Sequence, residues 1–242
     1  MLRKAEQLYR IYVWELPVRF FHWVTVITVG VLIVTGYLIG DPIVLQHGGN
    51  DASMSYWFGW VRFIHFVAAY VFLFNFIIRI YWGFVGNKYV HWRNFFPYRK
   101  KHLKNMLDVL TVDVFQFKHK DIESPAHNSI AYFTYFIVYL AFIFEIVTGF
   151  GLYAAMSHSW IAQSFSWIIP LMGGDLAARQ WHHAIMWLLI VFTIFHVYLV
   201  FFHDYVDGSG VTTSMVGGWK FISRKKFHDL QKEEQQSNAS ST

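Results

Sequence analysis

RQWHHAIMWLLIVFTIFHVY, residues 179–198, is the stretch whose reading decides the fold. It contains no acidic residue, and its one permanent cation, Arg179, stands at its start. The span continues to 204, long enough to cross a bilayer as a helix of about 20 residues. Three histidines nonetheless lie inside residues 179–198: His182, His183 and His196. Ionisable side chains in a membrane span are costly and usually have a partner. Helical arithmetic separates the three. His182 and His196 return to within about 40° of the same face, with an axial separation of about 21 Å. His183 and His196 are roughly 140° apart. One face therefore carries His182 and His196 at two depths. His183 is turned towards lipid, a neighbouring helix or a partner subunit.

The rest of the chain has the same character. Of its 242 residues 55% are hydrophobic and only 14% charged, against about 25% charged in soluble domains. This excludes a disordered chain and an ordinary soluble domain. There is no cysteine, which excludes disulfides, thiolate metal sites, iron–sulfur clusters held by this chain and covalent haem attachment through C-x-x-C-H. Four blocks are long and apolar enough to span: 18–39, 58–84, 129–154 and 180–204. Each is edged by Trp or Tyr, such as Trp23, Trp60, Tyr81, Trp82, Tyr153 and Trp181, as rings at the headgroup level require. The expected fold is an all-α membrane protein, a four-transmembrane-helix bundle. The first block is longer than a signal-peptide core and no small-residue cleavage motif follows it, so it is expected to stay in the protein.

Charge predicts the topology. Arg3, Lys4, Arg10 and Arg19 precede the first span; Lys88, Arg93, Arg99, Lys100, Lys101, Lys104, Lys118 and Lys120 lie between the second and third; Lys220, Arg224, Lys225, Lys226 and Lys232 follow the fourth. The connections at 40–57 and 155–178 have no Lys or Arg. The positive-inside rule then places both termini and the 85–128 connection in the cytoplasm. The net charge of +5 is thus accounted for by cytoplasmic loops and not by nucleic-acid binding. Within that connection, 99–119 mixes basic and apolar residues at helical spacing and is expected to lie along the interface, or to form a solvated loop helix. In the tail, 206–242, a turn at Asp207-Gly208-Ser209-Gly210 precedes a polar end expected to be disordered.

The chain echoes itself. IVTG occurs at 33–36 and again at 146–149. Arg19-x-x-His22, Arg62-x-x-His65 and Arg179-x-x-His182 each lie in the first turns of a span, and residues three apart share a helix face. Depth pairs the histidines: His65 with His182 towards the outside, His22 with His196 towards the cytoplasm. Two stacked bis-histidine haem b groups require this arrangement, one imidazole from each of two helices per iron. Residues 1–205 then read as a four-helix cytochrome b domain of di-haem type. Arg19, Arg62 and Arg179 are candidates to pair with propionates. Gly30, Gly36, Gly149 and Gly151 would let a helix approach a porphyrin edge, or would serve close helix packing. A zinc ion would need ligands clustered within one or two turns. A proton-relay transporter would need acidic residues in the spans, and only Glu145 is clearly placed so. Glu145 is either a polar residue near a helix interface or a proton carrier to a quinone. His127 caps the third span or lines a quinone pocket.

At these residues the sequence resembles the b-type cytochrome subunit of membrane-bound nickel–iron uptake hydrogenases. The resemblance runs over nearly the whole chain. It is carried by Arg19-Phe20-Phe21-His22-Trp23, continuing to Leu32-Ile33-Val34-Thr35-Gly36, and by Arg179-Gln180-Trp181-His182-His183 with Trp187, Phe192 and His196-Val197-Tyr198. Arg62-Phe63-Ile64-His65-Phe66, the 79–87 stretch and TTSMVGG at 212–218 add to it. It implies a multi-pass subunit of the bacterial inner membrane that anchors a periplasmic hydrogenase. The iron–sulfur small subunit would pass electrons to the outer haem (His65, His182), the inner haem (His22, His196) would receive them, and a membrane quinone would be reduced. The large nickel–iron subunit, not this chain, would act on hydrogen. The alternatives are a four-helix di-haem cytochrome b of another dehydrogenase, such as formate dehydrogenase, or a b561-like quinol oxidase.

Overall fold

The computed structural model describes residues 8–42, 56–92 and 129–239. In chain order its elements are β1 (Leu8–Tyr12), α1 (Leu16–Gly40), α2 (Trp57–Val85), α3 (Ser129–Ala154), α4 (Trp160–Gln163), α5 (Ile168–Leu171), α6 (Asp175–Asp207), α7 (Val211–Gly217), β2 (Trp219–Ser223) and α8 (Arg224–Ala239). The protein is mostly helical. Helices α1, α2, α3 and α6 are each long and apolar enough to cross a membrane. Their outward side chains, among them Phe20, Ile27, Val34, Trp60, Phe63, Ile194 and Phe201, are exposed, as lipid-facing residues are.

Helix ends follow local chemistry. α6 begins five residues before the expected start at 180, because Gly173 and Gly174 adopt positive φ (87° and 111°) and break the chain there. Asp175 then occupies the first turn, where a carboxylate suits the positive end of the helix. Two features add to the expected helical bundle. β1 and β2 pair antiparallel from Leu8↔Ser223 to Tyr12↔Trp219. In the polar tail, α8 runs to Ala239. Its Lys, Glu and Gln residues are good helix formers and no Gly or Pro interrupts them, and the Phe227 ring stacks on Tyr9 at 4.6 Å. The interfacial helix expected at 99–119, and His127, lie outside the described residues.

The chain divides into two compact units. The first comprises residues 1–19, 82–134 and 197–242. Val13, Trp14, Val18 and Val90 form its core, with Trp82 and Met215 packed against them. Glu15 Oε2 accepts from Trp82 Nε1 (2.9 Å) and from the Asn87 amide (3.1 Å). Gly218, at φ 84°, accepts from the Val13 and Trp14 amides. A Cβ there would meet Trp14 O and the Tyr12 ring at 2.6 Å, so only glycine fits. Asp204 accepts from the Val211 amide (2.7 Å) and from the Thr212 hydroxyl, which holds the turn at Gly208 and Gly210.

The second unit comprises residues 20–81 and 135–196. Its core is aromatic: Phe72, Phe76, Phe142 and Phe150 are buried with Leu73, Val138, Ile146 and Leu189. Phe72 meets Phe142 edge-on at 5.1 Å, and Tyr70 meets Phe150 at 5.0 Å. α5 covers the end of α3, where Gly151 leaves room for Ile168. Gln163 Nε2 donates to Ala154 O (2.8 Å), satisfying the last carbonyl of α3, and to Ser157 O (2.7 Å) in the turn beyond it.

Asn75 on α2 is buried and donates to Phe21 O (3.1 Å) and to Thr25 Oγ1 (2.9 Å) on α1. Interhelical hydrogen bonds of this kind are worth about 1 kcal/mol in membrane proteins. Asn75→Ala is expected to lower stability by that amount in an SDS-unfolding titration. A variant as stable as the parent would show that these bonds carry no net weight.

Candidate functional site

Within the second unit, a cavity of about 350 Å³ is lined by residues of all four long helices. His65 of α2 and His182 of α6 both line it, and so do Arg62 and Arg179. The remainder is mostly apolar, including Leu32, Phe66, Phe72, Phe142 and Leu189. Each of the two histidines is held by the long helix that precedes its own in sequence. Thr35 Oγ1 of α1 lies 2.9 Å from His65 Nδ1. Thr148 Oγ1 of α3 lies 2.8 Å from His182 Nδ1. The neighbouring glycines lie against the same rings. A Cβ at Gly36 would stand 3.3 Å from His65 Cε1, and one at Gly149 would stand 3.1 Å from His182 Cε1.

The two halves differ at one position. Glu145 precedes Thr148 by three residues, where Leu32 precedes Thr35 by three. Glu145 Oε2 lies 2.7 Å from His182 Nδ1, with the Glu145 side chain 14% exposed and that of His182 20%. Glu145 Oε1 is buried without a hydrogen-bond partner. Arg62 and Arg179 line the same cavity. Arg62 Nη2 lies 2.6 Å from Met156 Sδ, and Arg179 Nε donates to Asp175 Oδ2 at 2.7 Å.

The other two candidates also come together. His22 on α1 and His196 on α6 lie within electrostatic range of one another. Their support is looser. His22 Nδ1 is buried with no hydrogen-bond partner. His196 Nδ1 has the Tyr135 hydroxyl at 3.5 Å, at the limit of a hydrogen bond, and its ring stacks on Phe192 at 5.5 Å. Arg19 belongs to the first unit and donates to Val216 O there, leaving Nε buried and unpaired. Of the three directions left open for His183, the neighbouring helix is the one taken. Its ring fills the place a Cβ on Gly40 would occupy, and it also lines the cavity.

Sequence reasoning grouped the four histidines but assigned no role to Thr35 or Thr148. It did not join Glu145 to His182. The signal for the threonines was present, since the repeated IVTG contains the hydroxyl in both copies. For the four glycines the structure separates the two readings. Gly36 and Gly149 abut histidine rings, Gly151 abuts Ile168 and Phe165, and Gly30 faces open space. Among the described residues no three His, Asp or Glu side chains are grouped as a bare metal ion would need.

Residues 13–218 match a family model described as prokaryotic cytochrome b561. A protein of Azotobacter vinelandii named "Probable Ni/Fe-hydrogenase B-type cytochrome subunit" is 38% identical over 224 residues, covering 90% of this chain and 92% of its own length. A protein of the same name from Cupriavidus necator is 37% identical over 215 residues, with 86% of each chain covered. The "Probable Ni/Fe-hydrogenase 1 B-type cytochrome subunit" of Escherichia coli K12 is 34% identical over 225 residues, covering 91% of this chain and 94% of its own.

The glycine environments generate a paired test. Gly30→Ala adds a methyl group where nothing lies within 4 Å, and is expected to raise stability by about 0.5–1 kcal/mol through helix propensity. At Gly40 the added Cβ would stand 2.1 Å from His183 Cε1. Gly40→Ala is expected to lower the thermal midpoint of the detergent-solubilised protein. Equal midpoints for the two variants would contradict the assigned packing.

Proposed function

This chain belongs to the prokaryotic cytochrome b561 family, and from that membership we propose that it is the b-type cytochrome subunit of a membrane-bound nickel–iron hydrogenase, sitting in the bacterial inner membrane, anchoring the periplasmic small and large subunits and passing electrons from the iron–sulfur small subunit to a membrane quinone. The names of the relatives support the hydrogenase partner over a formate dehydrogenase or a freestanding quinol oxidase. The observation that carries the reading is the pair His65 and His182, on two helices, lining one apolar cavity, each with Nδ1 already engaged.

Haem b is the group the family description implies, and the residues fit it. Engagement of Nδ1 leaves Nε2 of each imidazole as the ligating nitrogen. Gly36 and Gly149 keep the space beside each ring clear of a side chain. His65 and His182 would hold the iron through two imidazoles, a donor set that would favour electron transfer over oxygen chemistry. Bound haem b supplies one-electron exchange at its iron. The chain's own part is to bind, orient and insulate. Phe66, Phe72, Phe142 and Leu189 give the cavity an apolar lining, and Arg62 and Arg179 would offer guanidinium groups to propionates. His22 and His196 form the second ligand pair in this reading, giving two haems per chain.

Orientation rests on charge and on the first unit. The N-terminal arm, the chain leaving α2 and the tail after α6 belong to one compact unit. These are the basic segments, and the positive-inside rule puts them in the cytoplasm. His65 and His182 then lie towards the periplasmic partner.

A dithionite-reduced minus oxidised spectrum of the purified complex, with haem quantified per chain, tests the reading. Two b-type haems are expected. His65→Ala is expected to lose one haem and hydrogen-driven quinone reduction while the subunit still inserts. A variant that keeps both haems and the electron flow overturns the assignment.

A further inference from the structure

The threonines of the two Val-Thr-Gly copies stand in equivalent places and make equivalent contacts. Thr35 Oγ1 lies 2.6 Å from Val31 O, and Thr148 Oγ1 lies 2.7 Å from Phe144 O. A carbonyl can only accept, and a hydroxyl has one proton. That proton is therefore committed to the helix backbone in both cases. The remaining contacts, to His65 Nδ1 at 2.9 Å and to His182 Nδ1 at 2.8 Å, must be bonds in which the imidazole donates. Both rings then carry the proton on Nδ1 and leave the Nε2 lone pair free. The glycine beside each threonine completes the hold, since the ring edge rests against bare backbone there.

From this geometry we propose that Thr35 and Thr148 are positioning residues that fix His65 and His182 as Nδ1–H tautomers and present both Nε2 atoms for ligation. The proposal rests on the reading of these histidines as haem ligands. Back-bonding by itself is ordinary for threonine in a membrane helix. Thr28 and Thr193 do it too, at 2.7 Å to Val24 O and 2.8 Å to Leu189 O. Among the described residues, the histidine contact sets Thr35 and Thr148 apart from these two. An acceptor on Nδ1–H raises the basicity of the ligating nitrogen and fixes the ring plane.

Glu145 makes the two copies unequal in a way that can be measured. His65 has the Thr35 hydroxyl as its Nδ1 acceptor. His182 has the Thr148 hydroxyl and also Glu145 Oε2 at 2.7 Å. Removing the hydroxyl at 35 strands the His65 proton in an apolar cavity. Removing it at 148 leaves the carboxylate in place. Thr35→Val therefore has the larger effect.

The test uses the whole membrane complex carrying Thr35→Val, Thr35→Ser or Thr148→Val. Haem transfer to apomyoglobin reports affinity, and spectroelectrochemistry reports the midpoint potential. Loss of a ligand's hydrogen-bond partner costs about 10- to 100-fold in affinity. Thr35→Val is expected to lose haem faster by that factor and to raise the midpoint of one haem. Thr35→Ser restores both, and Thr148→Val changes them less. If Thr35→Val fails to insert, Thr148→Val carries the test through its smaller rise in midpoint. Haem-replete parent protein with unchanged affinity and midpoint in Thr35→Val overturns the proposal alone. So does a Thr35→Ser variant that behaves like Thr35→Val. Parent complex that binds no haem overturns the underlying reading, and the proposal with it.

Discussion

A hydroxyl proton committed to a helix carbonyl cannot be given a second time, and that limit governs the polar groups inside the four long helices. The hydrocarbon phase offers no water, so each such group must find its partner within the protein. Thr28 and Thr193 satisfy themselves on their own helix. Asn75 reaches from α2 to α1. Thr35 and Thr148 satisfy their protons locally and keep a lone pair for the neighbouring helix. Only there does the constraint produce a site, because the atom facing the lone pair belongs to a histidine. The glycine contacts lie beside those two bonds, and both imidazoles line the same cavity.

The internal echo repeats one solution twice. α1 holds His65 on α2, and α3 holds His182 on α6, each with a threonine hydroxyl beside a glycine. The copies diverge where Leu32 is answered by Glu145. His182 Nδ1 thus faces two oxygens, Thr148 Oγ1 and Glu145 Oε2, where His65 Nδ1 faces Thr35 Oγ1. The pair formed by His22 and His196 has neither a threonine nor a glycine cradle. Its Nδ1 atoms are unpaired or weakly paired. The better-organised pair is the one proposed to face the hydrogenase, where electrons would enter.

The first unit has different chemistry. Charge and backbone hydrogen bonds organise it in place of apolar helix faces: Glu15 gathers Trp82 and Asn87, Asp204 closes the turn into α7, and Gly218 receives two amides. Arg10 lies over the Trp219 ring at 4.1 Å. Such polar anchoring is available only where water or headgroups share the cost of the charges. The basic residues that set the expected topology are concentrated in the same segments.

The sequence by itself determined the four helices, because an apolar run of bilayer length has few other stable forms. It also singled out the candidate histidines, since rise and rotation per residue are properties of any α-helix. It did not reveal the small sheet: β1 and β2 are short, lie more than 200 residues apart in the chain, and meet only through long-range pairing. Nor did it reveal the helical tail, whose polar composition reads as disorder until Phe227 is seen on Tyr9. The roles of Thr35, Thr148 and Glu145 were decided by tertiary structure. Their chemistry depends on which lone pair faces which nitrogen across two helices, and no spacing within one helix encodes that.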